Sequence, residues 1–238
     1  MVTGATSGIG RATALALAAQ GCLVTVTGRR EARLNDLAGQ IGVDRALAVA
    51  GDVARRSDVD AVVDRTIETF GRIDILVNNA GVMLLSPVGE RLVDEWDRMI
   101  DINVKGLLYG VAAVLPHMKK QGSGHIVNLG SVASRRPFPT GTIYSATKFA
   151  VRAISAGLRN ELSPTDGIRV TDIEPGIVDT ELLDHISDQG SVVAFAERWG
   201  QKVMLQPEDV AHAIVYAVSQ PQRVNVNEIL VRPTEQEN

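Results

Sequence analysis

Short runs of apolar, β-branched residues alternate along the chain with longer segments in which apolar residues recur every three or four positions. The runs include CLVTVTG, IDILVNNAG, HIVNLG and IRVTDIEPG, and the segments lie near 31–40, 55–70, 94–120, 143–163 and 207–219. Alternating strands and helices predict repeated βα units. Because strands this apolar are buried on both faces, we predict a doubly wound α/β fold. Its mostly parallel sheet has helices on both faces and forms a three-layer sandwich.

The chain, 1–238, is predicted to be one domain, since neither a Pro/Ser-rich linker nor an internal repeat divides it. Segment 177–206 mixes apolar residues with acids and glycines, a pattern that suits short helices covering a pocket. We interpret it as a substrate lid within the domain. An ordinary surface excursion is the alternative.

Composition narrows the function classes. Lys and Arg total 24 against 28 Asp and Glu, a net charge of -4, so a nucleic-acid partner is not expected. One cysteine, Cys22, cannot form an intrachain disulfide, and TGATSG follows Met1 and Val2 in place of an apolar signal core. No run approaches about 18 apolar residues, and the four histidines lack ligand spacing. We therefore expect a cytoplasmic protein with no membrane partner and no metal site.

Three glycines follow the first predicted strand, which ends at Val2 and Thr3, and lead into an alanine-rich helix. Strand, glycine turn and helix in this order bring backbone N–H groups and a helix N-terminus up to a pyrophosphate. A tight turn that binds nothing is the alternative. The predicted cofactor contacts in this loop are Gly4, Thr6, Ser7, Gly8, Ile9 and Gly10.

The second strand ends at Gly28, where an acid would hold the ribose 2′-hydroxyl of NAD. Arg29 and Arg30 lie at this position instead, and their two guanidinium groups can donate charge-assisted hydrogen bonds to a 2′-phosphate. We therefore predict NADP(H), although both arginines could be solvated at the start of a helix. After the third strand, Asp52 and Val53 could contact the adenine, and Asp52 could equally be the N-cap of the next helix.

Tyr144 and Lys148 are four residues apart and project from one helix face, and Ser131 follows the predicted strand HIVNLG. In open α/β sheets ligands bind at the carboxyl ends of strands, so Ser131 belongs at that edge. Free tyrosine has a pKa of about 10 and needs a nearby cation to act as a base, which Lys148 could be. The spacing therefore predicts that these three residues share one site at the edge of the sheet.

Six motifs in order carry a family resemblance: TGATSGIG (3–10), NNAG (78–81), Asn103 in MIDINVKG, Ser131 in NLGSVAS, YSATK (144–148) and EPGIVDT (174–180). The sequence resembles the compact, single-domain branch of the short-chain dehydrogenase/reductase family. The resemblance implies a Rossmann fold and hydride exchange between NAD(P)(H) and a carbonyl or alcohol. It implies that Ser131, Tyr144 and Lys148, with Asn103, form the catalytic set that transfers the proton. It implies further cofactor contacts from Asn79, Ala80, Gly81, Tyr144, Lys148, Pro175, Gly176, Ile177 and Thr180.

The resulting hypothesis is an NADP-dependent alcohol dehydrogenase or carbonyl reductase. RVTDIEPG and VNVNEILVRPT are similar to the subgroup that acts on small 3-hydroxy acids, serine and related aldehydes. The alternatives are a 3-oxoacyl carrier-protein reductase, a non-catalytic NADP(H)-binding sensor, and a lyase or epimerase. The family usually pairs through helices near 100–120 and 143–163, so the resemblance implies a homo-oligomer, a dimer or tetramer.

The remaining expectations concern the pocket and the first strand. The pocket is expected to be partly apolar, lined by Met83, Leu84, Leu85, Phe138 and lid residues. Arg135 and Arg136 could receive a substrate carboxylate or face solvent. The first strand is short compared with the family, so we expect reduced stability and a higher melting temperature when an N-terminal extension is added.

Overall fold

The computed structural model describes residues 1–199 and 203–236. Within these ranges one sheet contains seven strands: β1 (Val2–Thr3), β2 (Val24–Gly28), β3 (Ala46–Ala50), β4 (Ile75–Asn78), β5 (Gly124–Leu129), β6 (Ile168–Pro175) and β7 (Glu228–Val231). The α-helices are α1 (Gly8–Ala19), α2 (Glu31–Ile41), α3 (Arg56–Phe70), α4 (Val93–Ile100), α5 (Gly106–Gln121), α6 (Thr142–Asp166), α7 (Gln189–Trp199) and α8 (Pro207–Val218). Short 3₁₀ turns span Val88–Glu90, Val132–Ser134 and Glu181–His185.

The sheet is parallel and has the order β3-β2-β1-β4-β5-β6-β7. This confirms the doubly wound prediction. The predicted short first strand lies at the centre, where Val2 is opposite Val26 of β2 and Val77 of β4. The chain winds to one side from β1 to β3 and to the other from β4 onward. A parallel sheet opens a ligand-binding crevice at such a reversal, beyond the carboxyl ends of its strands.

Side chains alternate between two apolar cores, one on each face of the sheet. Val77 and Val127 belong to the core under α1, α2 and α8, whereas Leu76 and Ile126 belong to the core under α3, α5 and α6. Successive strand residues point to opposite faces, so a continuously apolar strand supplies both cores. The hydrophobic effect therefore fixes all three layers.

The fourth and fifth helices form one continuous helix, Val93–Gln121, joined by a π-helical turn at Asp101–Lys105. Its length and apolar composition would suit a membrane span. However, Leu107, Val111 and Val114 pack into the core beneath the sheet. This burial accounts for its apolar character as that of a core helix.

Candidate active site

A cleft of about 740 Å³ runs along the carboxyl ends of the strands. Almost all of the predicted site residues line it: Gly4, Thr6, Ser7, Gly8, Ile9, Arg29, Arg30, Asp52, Val53, Asn79, Ala80, Gly81, Ser131, Tyr144, Lys148, Pro175, Gly176, Ile177 and Thr180. Gly10 and Asn103 do not line this cleft; they lie behind its walls. The glycine loop and the proposed proton-transfer residues therefore share one continuous space.

The glycine loop requires its glycines for two separate reasons. Gly4 and Gly8 have φ of 63° and 51°, which side chains with a Cβ rarely adopt. A Cβ on Gly10 would lie 2.4 Å from the carbonyl oxygen of Gly4, so the first helix can pack this close only with glycine there. This helix begins at Gly8 with no acidic residue in its first turn. Its positive end at the cleft suits a pyrophosphate.

Asn79 holds the glycine loop in place. Its side-chain amide donates to the carbonyl oxygens of Thr3 and Gly4 at 2.8 and 3.2 Å. The hydroxyl oxygen of Thr3 accepts from the backbone N–H groups of Asn79 and Ala80, both at 3.0 Å. The NNAG segment thus shapes the cofactor loop as well as lining the cleft.

The Arg30 side chain lies against the glycine loop. Its guanidinium donates to the hydroxyl oxygens of Thr6 at 2.7 Å and Ser7 at 2.8 Å, and to the Glu181 carboxylate at 2.7 Å. Arg33 donates to the other oxygen of Glu181, also at 2.7 Å. Arg29 lies exposed on the cleft rim. Arg33 was not predicted from the sequence, although its three-residue spacing from Arg30 at the start of a helix was a signal.

The structure excludes one of the two roles considered for Asp52. The third helix begins at Arg56, with Arg55 at its N-cap, so the N-cap interpretation of Asp52 is wrong. The Asp52 carboxylate instead accepts from the backbone N–H of Ala54 at 3.0 Å, within the turn before the helix. Asp52 therefore stabilises the turn that leads into the helix, because its short side chain bonds to the backbone two residues on.

Ser131, Tyr144 and Lys148 come together at the opposite end of the cleft. Ser131 caps the 3₁₀ turn that follows β5, accepting from the Ala133 N–H at 3.1 Å, and its hydroxyl shares a hydrogen bond with the Tyr144 hydroxyl. Lys148 Nζ lies 5.8 Å from the centroid of the Tyr144 ring and donates to the Leu129 carbonyl oxygen at 2.7 Å. The predicted grouping of these side chains is therefore present.

Burial controls the protonation of this group. Burial raises the pKa of Tyr144 to about 12, and the Ser131 hydrogen bond opposes the rise only partly. Burial also lowers the pKa of Lys148 to about 8, against the attraction of Asp172. The role of Lys148 as the cation that favours the Tyr144 phenolate therefore stays a prediction. The lysine charge does not offset the cost of burying a phenolate, so Tyr144 holds its proton at neutral pH.

Asp172 was missed by the sequence analysis, because a carboxylate within a strand motif carries no sign of its surroundings. It is fully buried on β6, and within the described part of the chain no side chain donates a hydrogen bond to its carboxylate, although the backbone N–H of Gly130 lies near enough to lower its pKa. Burial, with repulsion from Glu174, raises the pKa of Asp172 to about 7, and Lys148 counteracts this. Lys148 therefore has a buried acidic neighbour.

Asn103 lies in the π-helical turn, behind the cleft. Its amide pairs with the backbone of Val82, accepting from the N–H at 2.8 Å and donating to the carbonyl at 2.9 Å, and it also donates to Thr147 at 3.1 Å. Thr147 is adjacent to Lys148 on α6. The observed contacts of Asn103 therefore join the β4 loop to the helix that carries Tyr144 and Lys148.

Comparisons with known proteins identify the family of the chain. The sequence model described as short chain dehydrogenase matches residues 1–191. The chain belongs to the short-chain dehydrogenase family. An uncharacterized oxidoreductase of Staphylococcus saprophyticus is 44% identical over 237 residues, covering 99% of this chain and 96% of that protein.

Two solved structures are similar to this short-chain dehydrogenase over its whole length. The closed form of a serine dehydrogenase complexed with NADP+ is 39% identical, with a TM-score of 0.92 and coverage of 100% of this chain and 95% of that one. A 3-ketoacyl-(acyl-carrier-protein) reductase from Brucella melitensis, complexed with NADH, is 33% identical, with a TM-score of 0.87 and coverage of 98% and 95%. The family resemblance and the fold predicted from the sequence are confirmed.

The cleft of this short-chain dehydrogenase is partly apolar, as expected, but its lining differs in part from the prediction. Met83 and Phe138 line the cleft, whereas Leu84 and Leu85 are buried in the core behind it. The sequence could not separate them because all four residues belong to apolar surroundings. Segment 177–206, which the sequence predicts to be a lid, adds further apolar residues to the cleft wall: Leu182, Leu183 and Phe195. Residues 200–202 of that segment lie outside the described ranges.

Arg135 is partly exposed to solvent, as one of the two alternatives expected, but its guanidinium is already paired with carboxylates of the chain. It forms ion pairs with Glu174 and Glu228, and Arg152 approaches the same two carboxylates at 3.4 and 3.5 Å. Glu174 is fully buried, so it needs these cations to compensate its charge. Arg135 therefore ties the turn after Ser131 to β6 and β7.

Proposed function

We propose that this short-chain dehydrogenase is an NADP(H)-dependent oxidoreductase that interconverts a small carbonyl compound and its alcohol. The observation that carries the proposal is the single cleft that joins the glycine loop and Arg30 to Ser131, Tyr144 and Lys148. A nucleotide sensor would have no use for a buried tyrosine hydrogen-bonded to a serine beside a buried lysine. A single cleft also suits a reaction in which cofactor and substrate must touch.

The cofactor fits the residues present. The glycine loop offers the helix N-terminus that a pyrophosphate needs, and Arg30 and Arg33 supply guanidinium groups beside Thr6 and Ser7 for a 2′-phosphate. A bound nicotinamide dinucleotide would supply or accept the hydride. The NADP+ complex of the serine dehydrogenase supports the choice of NADP(H) over NAD(H).

Tyr144 acts as the proton donor when a carbonyl is reduced. Its raised pKa keeps the proton on the hydroxyl, and its hydrogen bond with Ser131 directs both hydroxyls to one substrate oxygen. Oxidation of an alcohol requires the reverse transfer, so the phenolate must then be favoured. Lys148 supplies a positive charge for that step, and Asn103 steadies the helix that carries both residues.

The substrate we propose is a small 3-hydroxy acid or the corresponding carbonyl compound. The serine dehydrogenase of known structure supports this choice, since it is similar over the whole chain. The similar 3-ketoacyl-(acyl-carrier-protein) reductase keeps thioester reduction as a second candidate. That activity would use exposed arginines beside the pocket, and Arg135 is already paired with two glutamates.

A lid over the cleft and a homo-oligomer belong to the same proposal. The lid segment, 177–206, closes over the substrate end of the cleft.

A homodimer or homotetramer forms through the continuous helix and α6. These helices expose the apolar side chains of Ile100, Leu108 and Phe149, each at about two-fifths of its surface. Light scattering on the purified protein measures the number of subunits.

The test of function combines binding with turnover. NADPH and NADH are titrated by fluorescence, and absorbance at the nicotinamide band is then followed with 3-hydroxy acids, serine, small ketones, aldehydes and a 3-oxoacyl thioester. We expect tighter binding of NADPH than of NADH and turnover of at least one 3-hydroxy acid. Turnover of the thioester alone would favour the second candidate. Binding without turnover of any compound would contradict the enzyme proposal.

A further inference from the structure

Glu181 pairs with the two guanidinium groups that are proposed above to bind the 2′-phosphate of the cofactor. It is the first residue of the 3₁₀ turn that opens the lid segment, yet it reaches across to the second helix and the glycine loop. Each of its two carboxylate oxygens accepts from a different arginine, Arg30 and Arg33, at 2.7 Å. A carboxylate is an anion with the same preference for guanidinium groups as a phosphate.

The surroundings of Glu181 are those of an anion subsite. Hydrogen bonds from Arg33, Arg30 and Ser7 lower the pKa of Glu181 to about 2, so the carboxylate is fully charged at neutral pH. Arg30 simultaneously donates to Thr6 and Ser7, which fixes it at the mouth of the glycine loop. The hydroxyl and guanidinium donors that a 2′-phosphate would use thus already hold a side-chain anion.

Neighbouring contacts hold Glu181 in this position. The preceding residue, Thr180, packs on the glycine loop: a Cβ on Gly8 would lie 3.0 Å from its methyl group. The Thr180 hydroxyl oxygen accepts from the Leu182 N–H at 3.4 Å and caps the turn that begins at Glu181. The carboxylate is therefore tethered beside the arginines rather than brought there by a freely moving side chain.

We propose that Glu181 is a cofactor-specificity residue, which competes with the 2′-phosphate of NADP(H) for Arg30 and Arg33. This inference rests on the proposed NADP(H) dependence and adds a second determinant to it. A ligand with a 2′-phosphate must displace the carboxylate, whereas NAD(H) leaves the ion pairs in place. Glu181 thereby reduces the ratio of NADP(H) affinity to NAD(H) affinity that the arginines create.

The test removes the charge of Glu181 and keeps its shape. Glu181→Gln and the parent protein are titrated by calorimetry with 2′,5′-ADP and with 5′-AMP, which differ only in the 2′-phosphate, and with NADP+ and NAD+. Ion pairs this exposed are individually weak, so we expect 2′,5′-ADP and NADP+ to bind only about five- to tenfold more tightly. Binding of 5′-AMP and NAD+ should change less than about twofold.

Asp184→Asn is the matched control, because it removes the same charge from the same 3₁₀ turn at an exposed position. A gain in 2′,5′-ADP affinity of equal size in this control would show a long-range charge effect and overturn the proposal. Unchanged or weaker 2′,5′-ADP binding in Glu181→Gln would also overturn it. Failure of the parent protein to bind any dinucleotide would instead contradict the proposed function, so the two failures are distinguishable.

Discussion

The substitution Asp172→Asn tests how the buried site affects the stability of the fold. The pKa of Asp172 rises from its ordinary value of 3.8 to about 7 on folding. A carboxyl whose folded pKa is raised stabilises the fold fully only below its unfolded pKa, and this contribution is lost as pH rises through the folded pKa. The parent protein should therefore lose free energy of unfolding between about pH 4 and pH 7 because of this group.

The size of the effect follows from these pKa values. Between about pH 5 and about pH 7.5 the linkage relation gives a loss of about 2 to 3 kcal/mol for Asp172. The asparagine side chain of the variant cannot titrate, so any cost of burying its amide is the same at both pH values. The free energy of unfolding of Asp172→Asn, relative to the parent, should therefore rise by about 2 to 3 kcal/mol over this pH range.

Urea denaturation at the two pH values, followed by circular dichroism, measures the difference. Asp36→Asn, at an exposed position on α2, is the control and should show no such change. Equal effects of Asp172→Asn at both pH values would refute the reasoning. Asp172→Asn also removes a charge that raises the pKa of Lys148. Where the rate of turnover depends on the protonation of Lys148, that part of its pH dependence should therefore move to lower pH.

Two further predictions concern the cofactor loop. Gly10→Ala should abolish dinucleotide binding, measured by fluorescence titration, because the new Cβ would collide with the Gly4 backbone, and normal binding would contradict the loop geometry. The control is Gly39→Ala on α2, where the new Cβ meets no atom within 4 Å; this variant should bind normally and gain up to about 1 kcal/mol of stability. Arg30→Gln should weaken NADPH binding about 10- to 100-fold and NADH binding much less, because the proposed charge-assisted contact with the 2′-phosphate serves NADPH alone, whereas the Arg30 hydrogen bonds to Thr6 and Ser7 serve both cofactors. An equal loss for both cofactors would argue against the proposed contact.

Most of the fold could be predicted from the sequence because apolar periodicity is a direct consequence of burial. The continuous runs that became β4, β5 and β6 had to be covered on both faces, and the helices between them kept their predicted bounds within a few residues. The two-residue first strand was also predictable, since the glycine loop follows it immediately. The π-helical turn at Asp101–Lys105 was not, because no sequence period marks it.

The site was predictable where local spacing places side chains together, and not where the tertiary fold does. Tyr144 and Lys148 share a helix face, so four-residue spacing sufficed. Glu181 and Arg30 are 151 residues apart, and only the folded chain joins them. The raised pKa of Tyr144 could not be predicted from the sequence either, because it depends on how deeply the folded chain buries the side chain. Asp172 was overlooked for the same reason.

The central claim is that Tyr144 transfers the proton in an NADP(H)-dependent reaction, and Tyr144→Phe tests it most directly. Turnover of the best substrate and the Kd of NADPH are measured for the parent, for Tyr144→Phe and for Tyr216→Phe, whose ring is exposed on α8. We predict that Tyr144→Phe loses about 10²- to 10⁴-fold in kcat while NADPH affinity changes less than about threefold, and that Tyr216→Phe matches the parent. Turnover by Tyr144→Phe at the parent's rate would contradict the account.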